Sequence, residues 1–150
     1  MTTAVVAGAL VVTAVNALAA ASGAWYWRWG GRARPFWLLL RAGQACALVF
    51  ALGVGVLAAA GRDSTDSLFY LYALLPLAVG FVAEQLRIAA AQTVLDQLGL
   101  EDAQAVGRLA ADEQHSVVAA ILHRELSVMA LSALVVVVLA ARAAGTAHGF

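Results

Sequence analysis

From Thr2 to Trp27 the chain carries no Asp, Glu, Lys, Arg or His, an uncharged run of 26 residues. Roughly 20 helical residues cross a hydrocarbon core of about 30 Å, so this run predicts a membrane span with some tilt. Three further uncharged runs follow, Ala42 to Gly61, Ser67 to Ala83 and Leu126 to Ala141. Composition points the same way: 63% of the residues are hydrophobic and 12% charged, against roughly 45–50% and about 25% in soluble domains. The reading is an all-α integral membrane four-helix bundle in a single transmembrane domain, with spans at about 3–27, 36–60, 67–90 and 116–142.

The same inventory excludes several classes of function. Formal net charge is zero, with nine arginines, nine acids and no lysine. No run of like charge offers a surface to nucleic acid. Cys46 is the only cysteine, which removes an intramolecular disulfide and any multi-cysteine metal centre. The N-terminal run lacks a basic start and a small-residue cleavage site, so it is read as a retained span rather than a signal peptide.

Connections follow from the turn residues. Gly30, Gly31 and Pro35, with Arg28, Arg32 and Arg34 among them, predict a short basic turn, the proline suiting the first turn of the next helix. Gly61 to Asp66 predicts a polar turn. The third helix is expected to continue past the membrane to a stop at Gly99. A short surface helix over Leu100 to Ala110 carries Glu101, Asp102 and Arg108, and Asp112 is expected to cap the last helix. The third and fourth long helices thus extend beyond the membrane, joined by that surface helix. Short connections make neighbouring helices antiparallel. Small residues four apart, Ala47, Ala51 and Gly55 or Ala19 and Gly23, would let helices approach closely in lipid, and Pro76 predicts a bend in the third span. Arginines concentrate in the first connection, so both termini are expected outside the cytoplasm.

One constellation stands out. Antiparallel packing brings Arg41 and Gln44 of the second span, Glu84 and Arg87 of the third, and His123, Arg124 and Glu125 of the fourth to the same end of the bundle. Leu126 to Ala141 supplies about 24 Å of helix and Ser67 to Ala83 about 25 Å, both short of the hydrocarbon thickness. The charges therefore fall just inside its cytoplasmic edge. Charges there face the bundle interior and pair, which predicts Arg41 with Glu84 and Arg87 with Glu125, leaving Arg124 for headgroups or the surface helix. The layer reads either as an ionic clasp fixing helix register or as a proton or ion relay or headgroup pocket, with His123 the group suited to near-neutral transfer.

Other features favour ordinary roles. Trp25, Trp27 and Trp29 read as an interfacial aromatic belt; Asn16, Ser127 and Ser132 as hydrogen-bonding groups between helices or to their own backbone. His115 and His123 lie on one helix with no opposing histidine in another span, which disfavours haem. The acidic positions near 101 and 112 lack the alternation of a calcium loop. No nucleophile–base, metal or cofactor constellation occurs, so the chain is read as not an enzyme and without a cofactor.

The segments AEQLRIAAAQTVLDQLGLEDAQAVGRL at 83–109 and HRELSVMALSALVVV at 123–137 resemble a family of small membrane proteins from high-GC Gram-positive bacteria. The resemblance implies a bacterial inner membrane and four spans, and brings no activity or site with it. The expected function is that of a non-enzymatic accessory or structural subunit, its partners the bilayer and other membrane subunits or copies of itself. The alternative is a small transporter or proton-coupled carrier using Glu84, Glu125 and His123.

Overall fold

The computed structural model describes residues 2–31, 33–100 and 103–148. The expectations placed on Arg32, Glu101 and Asp102 lie outside the described residues. The chain is helical throughout: α1 Thr2–Trp29, α2 Arg34–Ala59, α3 Ser67–Gln97, α4 Ala103–Gly107 and α5 Ala111–Thr146. The four long helices are each long and apolar enough to cross a membrane.

Helix ends follow the local chemistry. α1 stops where Gly30 and Gly31 take φ of +72° and +108°, a conformation that costs a glycine little and other residues much. Pro35 sits in the first turn of α2, where its missing N–H has no helical partner to lose. α2 and α3 close alike: Gly61 and Gly99 adopt positive φ, and Arg62 N–H and Leu100 N–H bond back to the Leu57 and Leu95 carbonyls at 3.0 and 2.9 Å, which satisfies otherwise orphaned carbonyls. Asp66 caps α3, its Oδ1 accepting from Leu68 N–H at 2.9 Å.

Two boundaries differ from the sequence reading. α5 begins at Ala111, with Ala110 rather than Asp112 in the capping position. Asp112 instead lies in the first turn, where its charge favours the helix dipole, and the Glu113 carboxylate accepts from Ala110 N–H at 3.4 Å. The surface helix is only Ala103–Gly107, because single i→i−3 bonds from Arg108 and Leu109 tighten and end it and so short a helix has little cooperativity to extend itself.

α5 packs along both α1 and α3, and α2 closes the ring between α1 and α3. Three core layers fix the antiparallel order. Val5, Val54, Phe69 and Ala143 meet at one end, Val12, Ala47, Val136 and Ala140 in the middle, and Ala19, Phe36, Leu40, Ala83 and Met129 at the other. The first end is tied further by Ser64 Oγ and Thr65 N–H, both donating to the His148 carbonyl at 3.0 Å. α3 runs through Pro76, which is buried. At the far end Trp27 stacks on His123, so α1 stops level with that residue. Ala111 to Leu122 project beyond it by about 18 Å of helix; Val117 in this stretch is buried, as are Val94 and Leu95 at the end of α3.

Large apolar side chains nevertheless cover the outside of every long helix: Leu18, Val49, Phe81 and Leu131 are 59–70% exposed. A water-soluble bundle keeps such residues on a stripe facing its core. The small-residue stripe of α2 is interfacial only in part, since Ala47 and Ala51 are buried whereas a side chain at Gly55 would meet nothing. Successive steps of four drift around the helix, and Gly55 has turned outward.

Glycine is required where α2 crosses α1. A Cβ on Gly43 would stand 2.8–2.9 Å from the Asn16 amide, which is 2% exposed and donates to its own Val12 carbonyl at 2.9 Å. Gly43→Ala is expected to lower stability by about 1–3 kcal/mol through overpacking. The loss should shrink in the Asn16→Ala background, as thermal unfolding in detergent would report.

Candidate functional site

The charged layer is built from pairs three residues apart, which share a helix face. Arg41 and Gln44 occupy one turn of α2, and Glu84 and Arg87 one turn of α3. Arg41 and Glu84 directly follow, and Glu125 directly precedes, a residue of the third core layer, Leu40, Ala83 and Leu126 respectively, so the ions sit at the edge of packed apolar side chains.

Glu84 is the centre. Its Oε1 accepts from Arg41 Nη1 at 2.6 Å and from Gln44 Nε2 at 3.2 Å, and its Oε2 accepts from Arg87 Nε at 3.0 Å. Arg41 also donates to Gln44 Oε1 at 2.7 Å, which orients the amide so that its Nε2 faces the carboxylate. Arg87 reaches across to Glu125, Nη1 to Oε2 at 3.7 Å, and lays its guanidinium 5.8 Å from the Trp37 ring centre, a distance at which the ring face attracts a cation. Glu84 and Glu125 are mostly enclosed, at 25% and 16% side-chain exposure, whereas Arg41 is 54% exposed. Two arginines and two glutamates cancel, so the layer carries no net charge.

The structure brings five of the seven sequence-selected residues together and leaves two outside. His123 stacks on Trp27 of α1, ring centres 5.7 Å apart. Arg124 turns to the end of α3, where its Nη1 lies 3.5 Å from Gln97 Oε1. Consecutive helical residues point about 100° apart, so His123, Arg124 and Glu125 cannot share one partner face. Glu125 alone faces Arg87.

Trp37 and Gln97 were missed by the sequence reading. Trp37 lies four residues before Arg41 on α2, a spacing that places it one turn away on a similar face. Gln97 had no such signal, because its contact depends on how far α3 and α5 run together. Asn16, Ser127 and Ser132 bond to carbonyls of their own helices, those of Val12, Arg124 and Met129, and make no hydrogen bond between helices among the described residues.

Chemically, the layer holds a carboxylate that accepts from three side chains of two helices. Among the described residues no cluster of three or more His, Cys, Asp or Glu is arranged to hold a metal. No protein family, curated protein or solved structure matches the chain.

Proposed function

We propose that this chain is a four-span integral membrane protein with a structural or accessory role, packing against other membrane subunits or copies of itself, and that its charged layer is a clasp holding α2, α3 and α5 in register. The observation that carries the reading is the occupancy of Glu84: both oxygens engage cations, and the charges around it cancel. A relay group needs an oxygen open to a proton donor, whereas both Glu84 oxygens already accept from side chains of α2 and α3. His123 stacks on Trp27 instead of joining the layer. The apolar exterior of all four long helices supports immersion in lipid.

The bacterial plasma membrane is the proposed location, supported by the resemblance of 83–109 and 123–137 to small membrane proteins of high-GC Gram-positive bacteria. Arg28, Arg34 and Arg108 mark one end of the bundle and, among the described residues, Arg62 and Arg142 are the arginines at the other, which would orient both termini outward. A C-terminal reporter is expected to be active outside the cytoplasm; activity inside would reverse the topology.

Native mass spectrometry after mild extraction tests the role. Defined partner chains or a fixed copy number are the expected result. A lone chain whose proteoliposomes show pH-driven flux that Glu84→Gln abolishes would establish the carrier reading instead.

A further inference from the structure

Where the α1–α2 turn meets α5, a cavity of about 570 Å³ opens among Tyr26, Arg34, Trp37, Leu122 and His123. Among the described residues no carboxylate lines it, and Arg34 makes no ion pair. A second cavity of about 560 Å³ runs between α1 and α5, walled by Ala17, Ala20, Ala24, Trp27, Ala130 and Leu134. The two abut at the Trp27–His123 stack, one ring lining each. One is cationic and aromatic, the other wholly apolar along its α1 wall.

We infer that the pair forms a binding site for one anionic phospholipid. The phosphate would lie against the Arg34 guanidinium and the His123 ring, and an acyl chain would follow the alanine-lined groove. Arginine pairs with phosphate through planar, charge-assisted hydrogen bonds, and basic pockets between membrane helices suit anionic headgroups. The alanines leave room for a chain that larger side chains would fill. A free phosphate could use the first cavity but has no use for the second, which is why the occupant is a lipid. This inference rests on the membrane reading above.

The test uses the whole chain reconstituted in nanodiscs of phosphatidylcholine doped with phosphatidylglycerol, with lipid retained on the protein read by native mass spectrometry. Wild type should retain phosphatidylglycerol in preference to phosphatidylcholine, and Arg34→Gln should lower that preference about fivefold, the scale for one arginine near a lipid surface. Arg62→Gln, at the other end of the bundle, should leave it unchanged. Ala24→Leu should reduce retention of the lipid, while glycerol phosphate in solution should fail to compete. Competition by glycerol phosphate together with indifference to Ala24→Leu would assign the cavity to a soluble anion and overturn the lipid site. Equal retention of both lipids, or no effect of Arg34→Gln, would overturn it outright. A chain that does not enter the discs overturns the membrane reading as well, whereas one that enters without lipid preference overturns this inference alone.

Discussion

Glu84→Leu should destabilise the bundle by about 2 kcal/mol, the largest loss expected from one change in the charged layer. Removing one partner of a fully buried ion pair costs about 3–5 kcal/mol, because the remaining charge is left desolvated and alone. Here the layer sits at the edge of the apolar slab and Arg41 is about half exposed, so its long side chain can extend to the headgroup level and the loss falls below that range. Glu84→Gln should cost less, since an amide oxygen still accepts from one guanidinium while the charge attraction is gone. Denaturant or thermal unfolding in a fixed micelle measures both. Equal stability of wild type and Glu84→Leu would mean that the layer contributes nothing to holding the helices.

Gly23→Ala should cost about 1–3 kcal/mol by overpacking, even though alanine is intrinsically better in a helix by about 1 kcal/mol. A Cβ there would stand 2.6 Å from the Ala130 Cβ and 2.8 Å from Phe36 Cε2. Neither neighbour is the loose end of a flexible chain: Phe36 is fully buried and Ala130 has no side-chain torsion through which to yield. α1 must therefore move away from both α2 and α5. Ala130→Gly in the same molecule should restore part of the loss and leave the Phe36 clash. Gly53→Ala and Gly55→Ala, which would meet no atom within 4 Å, should be neutral or slightly stabilising. If all three alanine variants unfolded alike, close approach at Gly23 would not be a feature of the packing.

These contrasts show what a single sequence carries. The long helices are legible because charge is missing from four extended runs, and length alone then requires helix. Gly61 is legible as a turn because it ends an apolar run just where polar residues begin, and Gly99 as a stop because glycine is the usual residue just past a helix end. The Arg41–Gln44 and Glu84–Arg87 pairs are legible too, since their spacing is a property of one helix. What a helix faces is a property of two. Gly23 and Gly55 look alike in the sequence, yet one is clamped between α2 and α5 and the other is open. His123 and Arg124 were grouped with Glu125 because level along a helix can be counted, whereas azimuth depends on where the neighbours stand. The Arg34 cavity was hidden for the same reason, being assembled from a turn, an aromatic of α1 and a distant stretch of α5.

The claim that the charged layer is a clasp is tested most directly by a double-mutant cycle on Arg41 and Glu84. Stabilities of wild type, Arg41→Gln, Glu84→Gln and the double variant are compared in one lipid mixture. A coupling energy of about 1 kcal/mol is expected, within the range for residues sharing an ion-pair network, with the double variant more stable than the sum of the single losses allows. Strict additivity would contradict the account, because the two side chains would then be neighbours that do not hold each other.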